Sequence, residues 1–109
     1  MNRNFSQLIT VRSDDLPRMI ELIAEWDLKR ATGELTGYMG SRVLADREND
    51  GQYVMIADFG VVDPDVSAAE EAARNNERPE TLEFGARLRE VIDGEPQYRD
   101  FDEVYRTDP

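Results

Sequence analysis

The feature that most constrains the fold is a nearly unbroken apolar run in the middle of the chain, Gln52–Phe59. It is rich in aromatic and β-branched residues and is bounded by Asp50-Gly51 and Gly60, which predicts a strand buried on both faces. A sheet with two apolar faces needs a layer on each side, and a short chain can supply only one from its own helices. We therefore predict that a second copy of the chain covers the other face.

Composition narrows the class of protein. The length of 109 residues predicts a single domain over residues 1–109. The formal net charge of -11, from 24 acidic and 13 basic side chains, argues against nucleic-acid partners and anionic membrane surfaces. No apolar run approaches the ~18 residues of a membrane span, and the N-terminus opens onto an alternating strand rather than a signal segment. We expect a cytoplasmic protein.

The sequence has no histidine and no cysteine. This excludes Cys- and His-ligated zinc or haem sites, Ser-His-Asp triads and Cys-His pairs. Catalysis would have to use carboxylates, Tyr, Arg, Asn, Ser, Thr or the substrate's own reactivity, and no cofactor is expected. The acidic stretch from Asp46 to Gly51 imitates half of a calcium loop, but Ala57 stands where the bidentate Glu is needed, so we predict a charged hairpin instead.

Periodicity places the first elements. Alternating residues predict strands over Phe5–Arg12 and over residues 36–47. Between them, Ser13-Asp14-Asp15 offers capping oxygens, which predicts a helix over Leu16–Ala31. Asp50-Gly51 predicts a tight turn that pairs the second strand with the third. The apolar stripe of the predicted helix consists of Leu16, Met19, Ile20, Ile23 and Trp26.

The second half predicts a broken crossover helix and a last strand. Asp63-Pro64 is typical of a helix start, and Pro79 predicts an interruption or restart. Phe84 and Leu88 begin a second apolar stripe, and residues 96–106 predict a strand centred on residues 101–106. The order βαββαβ predicts an α+β, ferredoxin-like split βαβ fold: a four-stranded antiparallel sheet with its helices on one face.

The two sheet faces receive different predicted roles. Tyr53, Met55, Ala57 and Phe59 should face the helices, together with Tyr38 and Arg42. The opposite face should carry Val54, Ile56 and Asp58, with Leu8 and Val43, and form the contact in a homodimer. For Asp58 two roles stay open: an ion pair with Arg12 or Arg106 at the dimer interface, or a base with a raised pKa.

A family resemblance rests on the second half of the chain. The segment Asn76-Glu77-Arg78-Pro79-Glu80-Thr81, followed by Leu88, by Asp93-Gly94-Glu95-Pro96 and by Tyr98-Arg99-Asp100-Phe101, resembles small antibiotic biosynthesis monooxygenase-like proteins of the dimeric α+β barrel group. The resemblance implies a homodimer with a small pocket between sheet and helices in each subunit. It also implies cofactor-independent oxygenation of aromatic phenols or quinol-like substrates. Haem-degrading relatives use a Trp where Phe59 stands, and a His, so that activity is not expected.

The candidate residues lie on the helix side of the sheet. We predict Tyr53, Tyr38 and Asn76 as catalytic residues, and Trp26, Arg42, Met55, Phe59 and Phe84 as substrate-binding residues. Each has an alternative role: the apolar side chains can simply pack in the core, and Asn76 can cap a helix.

Two main functions remain open from the sequence, beside an isomerase or lyase that uses Asp58 or Tyr53. One is a homodimer that binds a small aromatic ligand and acts as a cofactor-independent monooxygenase. The other is a non-catalytic ligand-binding or structural dimer, such as a sensor or stress-associated protein.

Overall fold

A computed structural model describes residues 3–31 and 37–107 of the chain. The elements are β1 (Phe5–Arg12), α1 (Leu16–Ala31), β2 (Tyr38–Ala45), β3 (Gln52–Phe59), α2 (Ala68–Asn76), α3 (Pro79–Arg89) and β4 (Asp93–Asp102). The strands form one antiparallel sheet in the order β2-β3-β1-β4, and the helices pack on one face of it. This confirms the ferredoxin-like α+β prediction. No helix within the described ranges combines the length and apolar character that a membrane span requires.

The hydrophobic core lies between the helices and the two central strands. On β1 and β3, Phe5 pairs with Phe59 and Ile9 with Met55, and all four side chains are buried. This matches the predicted alternation of both strands. The stripe of α1 is rotated slightly from the prediction: Leu22 is buried, whereas Ile20 is half exposed.

Local capping and turn chemistry explain where the first elements begin and end. The Asp15 carboxylate accepts the Arg18 backbone N–H at 3.2 Å, which satisfies a donor in the first turn of α1. At the β2–β3 hairpin, Gly51 adopts a φ of 80°, a left-handed conformation that glycine reaches without a Cβ clash. The predicted turn at Asp50-Gly51 is confirmed.

Three elements have bounds that differ from the prediction. Strand β2 ends at Ala45 rather than at residue 47, and its predicted start at residue 36 lies outside the described residues. Asp63 does not start α2; its carboxylate accepts the Asp65 N–H at 2.9 Å in a turn, and Ser67 caps the helix by accepting the Glu70 N–H at 3.1 Å. Strand β4 runs over Asp93–Asp102, so it begins and ends earlier than predicted. The β1–β4 register shifts between the partners of Thr10 and Arg12, an irregularity that accommodates Pro96 inside the strand.

A β-bulge in β2 reverses part of the face assignment. Tyr38 pairs with Phe59 but Gly40 pairs with Asp58, so one extra residue is inserted between them. Gly40 has a φ of 138°, which favours glycine at this position. Beyond the bulge every side chain changes face. The predictions for Arg42 and Val43 are therefore wrong: Arg42 pairs with Ile56 on the side away from the helices, and Val43 packs on the core.

The side of the sheet away from the helices, called the open face below, carries an apolar patch. Ile56 is only 9% exposed because its neighbours in the sheet already cover it, whereas Leu44 is 46% exposed. Asp58 accepts the Ser6 hydroxyl at 2.6 Å. The predicted ion pair of Asp58 does not form within the subunit, since Arg12 lies at the opposite end of β1 and Arg106 binds Glu103. The apolar patch consists of Leu8, Leu44, Val54, Ile56 and Phe101.

Candidate functional site

A small cavity lies between the sheet and helices α1 and α3. Its volume is about 60 Å³. Its apolar wall is formed by Ile9, Trp26, Met55, Ala57, Phe59, Phe84 and Leu88, and the remaining lining residues are Gln7, Asn76, Thr81, Gly85 and Tyr98. The polar groups of these remaining residues are amides and hydroxyls, and no Asp or Glu lines the described cavity. It therefore suits an aromatic molecule that is held by a few hydrogen bonds.

A wider cleft continues from the cavity toward solvent. It measures about 330 Å³, and its lining residues are Gln7, Asn76, Thr81, Leu82, Gly85, Arg89 and Tyr98. Five of these also line the cavity, so the two are adjoining parts of one site. The apolar end is the inner one and the polar side chains lie at the mouth, which would orient a ligand with its polar group outward.

The inner wall is a chain of aromatic contacts. Trp26 stacks on Phe84 at 5.5 Å between ring centroids and meets Tyr38 edge-on at 4.5 Å. The Trp26 indole N–H donates to the Thr81 hydroxyl at 3.1 Å, which links α1 to α3. These contacts hold the indole in one orientation, so the wall is prepared before a ligand arrives.

Five of the eight predicted site residues come together at this cavity. Trp26, Met55, Phe59 and Phe84 form its wall, and Asn76 lies at its mouth at the end of α2. Alternation along β3 places Met55 and Phe59 on this side, and the restart at Pro79 turns Phe84 on α3 toward them.

The other three predicted residues lie outside the cavity lining. The Tyr38 ring is buried behind Trp26, and its hydroxyl bonds to that of Ser41. Tyr53 shares the helix side but sits further along β3, opposite Val11. Arg42 lies on the open face because of the bulge.

Apart from the apolar residues Ile9, Ala57, Leu82 and Leu88, five lining residues were not among the predicted site residues: Gln7, Thr81, Gly85, Arg89 and Tyr98. One of them carried a usable signal, since Gln7 is the polar member of the alternating face Phe5, Gln7, Ile9 and Val11. A polar side chain on a core face needs a partner or a cavity. Tyr98 had no local signal, because its position opposite Ile9 depends on the β1–β4 register.

A charged groove lies outside the aromatic wall, between α1 and α3. It measures about 220 Å³, and Glu25 and Arg87 form an ion pair of 3.0 Å at its edge. A side-chain hydrogen bond from Arg78 holds the pKa of Glu80 below its ordinary value. The Glu25–Arg87 pair links α1 to α3, and the Arg78–Glu80 pair lies at the start of α3, so both are ordinary structural ion pairs.

The acidic hairpin loop uses its carboxylates internally. The Glu48 backbone N–H donates to Asp46 at 2.8 Å and the Asn49 side chain donates at 3.1 Å, and these bonds hold the pKa of Asp46 below its ordinary value. Within residues 3–31 and 37–107, no group of three or more acidic side chains is placed to hold a metal ion.

The lowered pKa of Asp46 predicts an acid-dependent loss of stability. Because the folded pKa lies below the unfolded value of about 4, the contribution is present above that pH and is lost as the pH falls through the folded pKa. Urea unfolding at a series of pH values should show Asp46→Asn with a flatter dependence below pH ~4 than the wild type. Asn49→Ala should show a smaller change, since the Glu48 N–H remains. Identical slopes for Asp46→Asn and the wild type would contradict this assignment.

Comparison with known proteins assigns the fold. No family profile matches the sequence, and no curated protein matches it either. Among solved structures, a candidate antibiotic biosynthesis monooxygenase from Nitrosomonas europaea superimposes with a TM-score of 0.73 at 11% identity, over 99% of this chain and 97% of that chain. SnoaB, a cofactor-independent oxygenase from Streptomyces nogalater, superimposes with a TM-score of 0.68 at 20% identity, over 98% of each chain.

The chain therefore shares the fold of these two solved structures. A further candidate monooxygenase, from Caulobacter crescentus, matches with a TM-score of 0.73 at 10% identity, over 95% of this chain and 92% of that chain. These likenesses confirm the predicted resemblance at the level of the fold. At such low identities the shared fold does not carry over an activity, because one fold hosts many functions.

Proposed function

We propose that this protein binds a small aromatic phenol or quinol in the cavity and oxygenates it without a metal, flavin or haem. The observation that carries the proposal is the aromatic cavity with its hydrogen-bonding groups gathered at one end. The likeness to SnoaB, a cofactor-independent oxygenase with the same fold, adds support. Trp26 and Phe84 would flank the substrate ring, while Asn76 would bind its oxygen.

The lining of the site limits what the protein itself can contribute. No carboxylate lines the described cavity, so the lining offers no carboxylate as a general base to take a proton from a substrate carbon. The reactivity would come from the substrate: an activated CH2 group loses a proton to water, and its carbanion adds to dioxygen and regains a proton as a hydroperoxide. Loss of water from the hydroperoxide leaves a carbonyl, so one oxygen atom stays on carbon and the other leaves with the two hydrogens of the CH2 group. The Asn76 amide would stabilise the oxyanion of the substrate, since a donor aimed at developing charge lowers the barrier.

Oxygen uptake with a panel of anthrones, quinols and related phenols tests the enzyme proposal. We expect turnover of at least one substrate, and a fall in kcat of about 100-fold in Asn76→Ala, because losing one oxyanion donor typically costs that much. Tyr53→Phe should leave kcat unchanged, since Tyr53 lies outside the cavity lining.

The same pair of variants decides between the candidate catalytic residues. An unchanged rate in Asn76→Ala together with a large fall in Tyr53→Phe would transfer the catalytic role to Tyr53. No oxygen uptake with any compound of the panel would remove the enzyme proposal.

We also propose a homodimer in which the open faces of two subunits meet. Leu44 and Phe101 are 46% and 41% exposed on this face, near its two edges. They extend the partly covered strip formed by Leu8, Val54 and Ile56. An apolar sheet face of this kind is covered in stable proteins, and a second copy is the cover that needs no other partner.

A non-catalytic ligand-binding or structural dimer is the second candidate, and the cavity volume favours it over an enzyme that acts on polycyclic substrates. The volume of about 60 Å³ is less than half of the ~150 Å³ in which an engineered protein cavity binds benzene. A polycyclic substrate would have to displace side chains of the wall or remain largely in the cleft. Tight binding without oxygen uptake would support this candidate.

A further inference from the structure

The cleft differs in charge from the rest of the molecule. The chain carries a formal net charge of -11, yet Arg89 is the only charged side chain among the described residues that line the cleft. The other polar groups there are the amides of Gln7 and Asn76 and the hydroxyls of Thr81 and Tyr98. A cleft with a guanidinium, four other hydrogen-bonding side chains and no carboxylate in its lining favours an anionic ligand.

Arg89 lies where it can reach a ligand inside the cleft. Its Nε donates to Glu95 at 3.3 Å, and Glu95 is 81% exposed, so this ion pair is a weak competitor. A Cβ built on Gly85 would lie 3.5 Å from Nη1 of Arg89. Since Gly85 lines both cavity and cleft, Nη1 lies close to the junction of the two. The guanidinium offers further N–H groups in a fork that matches a carboxylate.

Gly85 keeps the junction open. It lies in the middle of α3, where glycine is less favourable than alanine. A Cβ at this position meets no backbone, so the fold itself does not demand glycine there. The absence of a side chain leaves room between the cleft and the aromatic wall.

A second carboxylate near the cleft is already engaged. Asp100 accepts the Gln7 side-chain N–H at 3.3 Å and does not line the cleft.

The inner cavity of about 60 Å³ leaves space for a single ring only when part of that ring lies in the cleft. Charge and size therefore restrict the ligand together.

We infer that the site takes a one-ring aromatic oxyanion, a carboxylate or an ionised phenol. Its oxygens bind Arg89, and its ring passes Gly85 toward Trp26 and Phe84. The inference rests on the proposed function in one respect, since it takes the same cavity to be a ligand site. It restricts the ligand of the cavity from aromatic molecules of any size and charge to one-ring anions.

Binding can be followed without turnover, because Trp26 is the single tryptophan of the chain and forms the cavity wall. Trp26 fluorescence is titrated with benzoate, with ionised 4-cyanophenol and with benzamide, the neutral isostere of benzoate. We expect benzoate to bind about tenfold or more tightly than benzamide, as one charge-assisted pair allows. Arg89→Gln should remove that difference and leave benzamide binding unchanged.

Three further variants test separately the loss of a positive charge elsewhere, the ion pair between Arg89 and Glu95, and the space beside Gly85. Arg18→Gln removes the same charge from an exposed ion pair on α1 and should change nothing. Glu95→Gln releases Arg89 and should tighten benzoate binding. Gly85→Leu fills the junction with a good helix former, so it should abolish binding of all three probes while circular dichroism and the melting temperature stay the same or rise.

Each outcome decides the inference. Equal affinities for benzoate and benzamide in the wild type, or equal losses for both in Arg89→Gln, would overturn it, as would unchanged benzoate binding in Gly85→Leu. Binding of benzoate but not of the phenolate identifies the ligand as a carboxylate. Oxygen uptake is measured separately: benzoate binding without uptake of oxygen removes the oxygenase proposal alone, and oxygenation of large neutral quinols without benzoate selectivity removes this inference alone.

Discussion

Replacing Phe59 with alanine is expected to lower the free energy of unfolding by about 3–5 kcal/mol. Phe59 is 2% exposed, and its ring contacts those of Phe5 and Tyr38 at centroid distances of 6.1 and 5.7 Å. The substitution removes these contacts and enlarges a cavity that already lies beside the ring, so the surroundings cannot close the gap. Domains of this size have a total stability of about 5–15 kcal/mol, so the variant should be close to unfolding.

Urea unfolding followed by far-UV circular dichroism measures this change. Leu82→Ala is the matched control, because Leu82 is an apolar side chain on α3 that is 61% exposed. It should alter the free energy of unfolding by no more than about 0.5 kcal/mol. A loss below about 1 kcal/mol for Phe59→Ala would mean that the ring is not held in the core as described.

The double substitution Leu44→Glu and Phe101→Glu is expected to convert the proposed dimer into monomers. Both side chains lie on the open face and are about half exposed in the isolated subunit, so glutamate at these positions does not disturb the core. In a closed interface each new carboxylate would lose its water, and pairing with the neighbouring Arg42 or Arg99 would offset only part of that desolvation cost. Ile56 is a poorer choice, since it is already buried within the subunit.

Sedimentation velocity at micromolar concentration distinguishes the two states. The molar mass derived from sedimentation should be twice the 12.5 kDa of one chain for the wild type, and that of one chain for the double variant. Leu28→Glu is the control, because Leu28 is 68% exposed on α1 and lies away from the open face. A wild type that sediments as a monomer, or a double variant that remains dimeric, would contradict the proposed interface.

Much of the fold could be predicted because its cause is local. Alternation placed Phe5, Ile9, Met55 and Phe59 on one side of the sheet, and the structure buries all four there. The hairpin turn followed from the left-handed conformation available to Gly51. Patterns of this kind depend on a few neighbouring residues, so tertiary packing does not change the structure that they predict.

The face of Arg42 could not be predicted in the same way. Its position depends on the bulge before Gly40, and a bulge is a feature of the pairing between two strands rather than of either strand alone. The prediction of where α2 begins was wrong for a related reason. Both Asp63 and Ser67 are good capping residues. Asp63 instead accepts the Asp65 N–H in the turn before α2, and Ser67 caps the helix.

The same distinction between local patterns and long-range packing applies to the candidate site. The apolar wall was predicted, since Trp26, Met55, Phe59 and Phe84 each lie on a periodic apolar face. Of the polar mouth only Asn76 was predicted. Gln7, Arg89 and Tyr98 were missed because they belong to different elements whose approach depends on the β1–β4 register and on the packing of α3.

The sequence alone determined the order of elements, the side of β1 and β3 that is buried, and the catalytic chemistries that a chain without histidine and cysteine cannot use. These follow from side-chain periodicity and residue type, which act over one or two turns of chain. Only the tertiary structure decided that Tyr53 and Arg42 lie away from the cavity, and that Arg89 and Gly85 stand at its mouth. The reason is physical: a cavity is the space left between elements, and its lining is set by strand register and helix packing between residues far apart in the chain.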